Sequence, residues 1–147
     1  MKKLHLLPLA LLAFSLGCGT IKTKSVAEAD YTPLENTTWQ LHELNGKSIE
    51  AHDDSFTLLF NAEDKLNGKG SCNILFGSYT QSDDGTILIK PQGLTRAACP
   101  DVATENEYIQ TLGTVTSYNV IDQTTLLLIS GEVIVAKLEK ISAGAAE

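Results

Sequence analysis

Few residues of this 147-residue chain are suited to chemistry: three cysteines, three histidines and a single arginine, Arg96. Cys72 and Cys99 lie far from Cys18, and two readings of them stand open. In an oxidising compartment they would close a disulfide, and otherwise they would be buried free thiols acting as small hydrophobes. A zinc site built from this pair with His42 and His52 would draw its ligands from four separate elements, with no close pairing of the kind metal sites favour. No metal is therefore expected. No serine or cysteine sits in a nucleophile-elbow pattern, and no histidine is tied to one by its sequence context. The chain reads as a non-enzyme. Arg96, between Thr95 and Ala97, has two readings: a guanidinium capping carboxylates in a groove, or a loop anchor.

Cys18 stands in a different setting. Lys2 and Lys3 precede an apolar run from Leu4 to Phe14, followed by small residues up to Gly17. These are the parts of a secretory signal, and the run is shorter than the roughly 20 residues a bilayer-spanning helix needs. The ending Ser15-Leu16-Gly17-Cys18 resembles the lipobox of bacterial lipoproteins, with Ser15 where leucine is usual. That resemblance implies cleavage before Cys18 and attachment of diacylglycerol and an acyl chain there, chemistry suited to a thiolate nucleophile. No other cofactor is expected. Residues 1–17 are then a lipoprotein signal peptide. Residues 18–33 form a polar tether reaching on the order of 20 Å. Gly19 carries no acidic retention signal, so by resemblance to enterobacterial sorting the outer membrane is favoured.

The length suits one domain, and 43% hydrophobic with 20% charged residues is ordinary globular usage. Loss of Lys2 and Lys3 takes the formal charge from −7 to −9. Such a balance, with scattered lysines, excludes a phosphate-backbone partner, so no nucleic acid is expected.

From Trp39 the dominant period is two, the signature of half-buried strands. Trp39 to His42 alternates, and Phe56, Leu58 and Phe60 share one face. Ile74–Tyr79, Thr86–Lys90, Tyr118–Ile121, Thr125–Ile129 and Val133–Leu138 are also of strand length. Asn45-Gly46, Asp83-Asp84-Gly85, Asp122-Gln123-Thr124 and Ser130-Gly131-Glu132 separate them with turn chemistry. One segment breaks the pattern: after Pro100, Asp101, Glu105 and Glu107 load the start of a helix predicted over Val102–Leu112, running on toward Thr116. Tyr108, Ile109, Leu112 and Val115 are its expected core face. The predicted fold is mainly β, an antiparallel meander closed or nearly closed into a small barrel, with the helix packed on it or plugging it. The domain spans 34–141, and 142–147 is a flexible tail.

The same residues resemble the META domain, the HslJ-like family of bacterial envelope proteins. Trp39-Gln40-Leu41 matches its opening strand. Ser71-Cys72-Asn73-Ile74-Leu75-Phe76-Gly77-Ser78-Tyr79 matches its Gly-Cys-Asn-x-Phe-x-Gly-x-Tyr block, with Ser71 replacing glycine and Leu75 an aromatic. Thr95-Arg96-Ala97-Ala98-Cys99 matches its Thr-x-x-x-Cys element, followed by a glutamate-bearing helix. The resemblance covers about Leu34 to Ile141 and implies a barrel-like fold with a helix, a role in envelope stress and no known catalysis. Asn73, Tyr79, Thr95 and Arg96 are the motif residues expected to border a groove. The expected function is an envelope-anchored binding or stress-response module that takes a hydrophobic ligand. The alternative is a protein-facing accessory subunit of an envelope complex.

Overall fold

Side-chain alternation dictates the first strand: Trp39 and Leu41 are buried while His42 is exposed, and Thr37–Leu44 forms β1. The computed structural model describes residues 34–99 and 101–141. The expected signal peptide, lipidated Cys18, tether, Pro100 and tail lie outside them. After β1 come β2 (Lys47–Ser48), β3 (Thr57–Phe60), β4 (Lys65–Lys69), β5 (Ile74–Gln81) and β6 (Ile87–Leu94). Helix α1 (Val102–Leu112) follows, then β7 (Ser117–Ile121), β8 (Thr125–Ser130) and β9 (Val133–Ile141). The expected turns supply the left-handed backbone that hairpins require, with φ of 48° at Asn45, 78° at Gly46, 82° at Gly85 and 61° at Gly131.

The strands form one mainly β, antiparallel, nine-stranded sheet in the order β6-β5-β4-β3-β1-β9-β8-β7, with β2 paired to β1. Strand β4 was not among the expected runs. Of its residues only Leu66 is buried, and its place is set by backbone pairing to β3 and β5. The sheet curls without closing into a barrel. Its two edge strands meet at one corner, where the Ile87 N–H donates to the Thr116 carbonyl at 3.1 Å and the Tyr118 N–H to the Gly85 carbonyl at 2.9 Å. Beyond that corner Pro91 has no N–H to offer, the register shifts at Phe76/Gly77, and α1 lies against β6.

The inner face of the curl is the core, and α1 completes it. Tyr108 and Leu112 are fully buried, and the Tyr108 ring meets Phe56 edge-on at 6.0 Å between centroids. The helix stops at Leu112, so the buried Val115 packs from the following turn and not from the helix.

The β5–β6 approach is tight at Gly77, where a Cβ would strike the carbonyl oxygen of Lys90. Gly77→Ala is expected to destabilise the fold by about 2 kcal/mol. Urea titration followed by fluorescence of the buried Trp39 measures it, and an unchanged midpoint would contradict that close approach.

Candidate functional site

The buried stripe of α1 begins with a carboxylate. Glu105 shares the inner face with Tyr108, Thr111 and Leu112 and is only 2% exposed. As a first-turn acid it is expected to complement the helix dipole, and acidic residues in general are expected to be solvated. Burial alone raises the affinity of such a group for its proton. Here donors outweigh it: Asn73 Nδ2 reaches Oε1 at 2.7 Å, and Oε2 accepts from Ser71 Oγ at 3.2 Å, Asn73 N–H at 3.2 Å and Cys72 N–H at 3.4 Å. Against the burial penalty, Asn73's side chain and backbone, then Cys72 and Ser71, hold the Glu105 carboxyl below its usual range. Gly70 belongs to the same arrangement, because a Cβ there would collide with the carboxylate.

Asn73 is buried just before β5 and turns toward the segment after β6 as well. Its Oδ1 accepts from Thr95 Oγ1 at 3.0 Å and from the Ala97 N–H at 2.7 Å. Thr95 Oγ1 in turn accepts the Ile74 N–H at 2.9 Å. Cys72 and Cys99 are joined in a disulfide with Cα atoms 5.8 Å apart, and Cys99 Sγ lies 2.9 Å from Asn73 Nδ2. One amide and one disulfide thus tie the 70–73 turn, the 95–99 segment and the helix together.

Between that segment and α1 lies a cleft of about 590 Å³. Asn73, Thr95 and Arg96 border it, and Arg96 is exposed and makes no hydrogen bond or ion pair among the described residues. Leu94, Val102 and Ile109 supply apolar wall. Tyr79 lies elsewhere. It is buried in the core, its hydroxyl donating to the Asn61 carbonyl at 3.1 Å and its ring edge-on to Phe60 at 4.9 Å. Burial, with the charges of Glu35 and Asp64, pushes that hydroxyl up.

The histidines stay apart from the cleft. His42 is on the solvent face of β1, with Nε2 3.3 Å from Glu139 Oε2. His52 borders a second depression of about 590 Å³ together with Ser55 and Ser71. Ser71 Oγ is committed to Glu105, and Ser55 Oγ accepts the His52 backbone N–H, so neither hydroxyl is paired with the imidazole. Among the described residues no three of His, Cys, Asp and Glu are grouped to hold a metal ion.

The family model described as META domain matches residues 32–140. The NMR structure of a protein from Burkholderia xenovorans is similar with a TM-score of 0.57 at 20% identity, over 74% of this chain and 84% of that one. Another NMR structure gives a TM-score of 0.55 at 20% identity, over 72% of this chain and 90% of its own. A DUF4847 family protein from Bacteroides vulgatus ATCC 8482, a crystal structure at 1.00 Å, gives 0.45 at 20% identity. That match covers 57% of this chain, and the chain spans just over half, 56%, of the Bacteroides protein. At this identity the two NMR structures speak for the fold alone. No curated protein matches the chain.

Two outcomes are expected of the network. Unfolded glutamate titrates near pH 4.3, and the folded Glu105 value is lower. Its stabilisation is therefore complete above that pH and is lost as pH falls through the folded value, where the unfolded chain binds more protons. Glu105→Gln sets an amide NH₂ against the same donors and should cost about 2 kcal/mol at pH 7 while removing that part of the acid sensitivity. Urea midpoints at pH 7 and pH 3.5 read both, and parallel acid profiles for the two proteins would refute it. Reduction of the disulfide, which spans a sequence separation of 27, should lower stability by about 3.5 kcal/mol in the chain-entropy account. Equal midpoints with and without reductant would refute that.

Proposed function

Because the chain belongs to the META domain family, we propose that it is an envelope-anchored, non-catalytic module that binds a small hydrophobic or amphipathic ligand in the cleft beside α1. The cleft carries this reading. Its volume is that of small-molecule sites, and its lining joins apolar wall to a few polar groups. Its walls are fixed by Asn73, Glu105 and the disulfide, so little ordering is needed when a ligand enters. The most buried ionisable group beside it, Glu105, is saturated with donors and unsuited to proton transfer. The non-enzymatic reading rests on this, and no cofactor enters it.

On the same reading Cys18 carries diacylglycerol and an acyl chain, residues 19–33 hold the domain near the membrane, and the compartment is the bacterial envelope, with the outer membrane favoured. A role in envelope stress follows from the family resemblance. A second reading, a protein-facing accessory subunit, draws support from the outer face of β5, where Ile74 and Phe76 are 54% and 46% exposed.

Native mass spectrometry of the full chain, purified from the membranes of a bacterial expression host, tests these together. The expected spectrum shows a chain beginning at Cys18 with added lipid mass, and a noncovalent adduct of a few hundred daltons. A chain that is ligand-free under gentle release overturns the cleft reading, a stoichiometric polypeptide in its place favours the accessory subunit, and an unmodified Cys18 overturns the anchor.

A further inference from the structure

The polar groups of the cleft divide into those already committed and those left over, and the remainder specifies a ligand. Asn73, Thr95 and Glu105 bond to one another and to the backbone, and Gln92 Nε2 donates to Ser78 Oγ at 3.1 Å. Arg96 and Asn106 are left, both exposed and both without a side-chain hydrogen bond among the described residues. Building on the cleft reading above, we propose that the ligand is an amphipathic anion, an apolar chain ending in a carboxylate or phosphate, with Arg96 receiving the anionic end.

Three features support this. Arg96 is held from both sides by one atom: Asn73 Oδ1 accepts from Thr95 Oγ1 and from the Ala97 N–H, and Cys99 fixes the chain two residues further on. The backbone that presents the guanidinium is thus set before a ligand arrives, which suits the rigid fork that grips carboxylate and phosphate in bidentate fashion. The guanidinium is also unspent. Lys47, Lys65, Lys69 and Lys137 each pair with a carboxylate within 4 Å, whereas Arg96, like Lys90 and Lys140, does not, although the chain carries a formal charge of −7. An unpaired guanidinium on such a surface is free to take an anionic head group, while the wider negative field disfavours polyanions. Beyond Arg96, Leu94, Val102 and Ile109 offer apolar wall for the chain that carries the anion.

The test uses the full chain in neutral phosphocholine nanodiscs, with heats for empty nanodiscs subtracted, titrated calorimetrically with octanoate, octyl phosphate and octanol. Octanoate or octyl phosphate should bind at least about tenfold more tightly than octanol, the worth of a charge-assisted contact. Arg96→Ala should abolish that preference and Arg96→Lys should keep part of it, neither shifting the urea midpoint, because the side chain is exposed and unpartnered. The stronger of the two anions identifies the head group. Equal binding of all three compounds, or a preference that survives Arg96→Ala, overturns the role of Arg96 and leaves the cleft reading standing. Failure of all three to bind overturns both.

Discussion

A buried carboxylate needs several donors, and here it finds them on a turn remote in sequence. Glu105 is the constraint on which the rest of the site depends, because leaving it unsatisfied in the interior would cost several kcal/mol. The 70–73 turn must therefore aim two backbone N–H groups, a hydroxyl and an amide at one point, and position 70 must lack a side chain. Asn73 then extends the same constraint to Thr95 and Ala97. The docking angle of α1, the path of the turn and the course of the segment after β6 are thus solutions to one electrostatic problem. The disulfide reinforces that solution from outside.

The open sheet gives the site its location. In a fully closed barrel the backbone of β6 would be paired along its length, with no room for a helix at its side. Here the edges part after a single corner, Pro91 weakens the strand as a template for further pairing, and α1 shields the exposed edge, which is a common protection against association through bare strands. The cleft is what remains between strand end and helix. A fold that avoids closure thereby acquires a concavity whose walls come from different parts of the chain.

How much of this could be read from sequence depended on whether the signal was local. Period-two alternation located β1, β3, β5, β6 and the three C-terminal strands, because each needs only its own inward residues to declare itself. Lys65–Lys69 gave no such sign, since one inward leucine is too little pattern and its pairing comes from neighbours on either side. Val102–Leu112 was legible, yet Glu105 was not, because a glutamate in a first helical turn already has a sufficient explanation in the dipole. Its actual partners, 32 to 34 residues earlier, are set by tertiary packing. Tyr79 could have been placed better: it shares strand parity with Leu75, and that alone directs it to the core. The meeting of β6 with β7 at one corner depends on accumulated twist and bulges, which no short window contains.

The position of β1 has a further consequence. It lies inside the sheet between β3 and β9, so that Thr38 near the start of the domain pairs with Ile141 at its end. Until the last nine-residue strand has been made, β1 is bare along one side and the sheet cannot be completed. Contacts of such long span are slow to form, since the intervening chain must first be gathered in. The domain becomes a single rigid sheet only when Val133–Ile141 has returned to Thr37–Leu44.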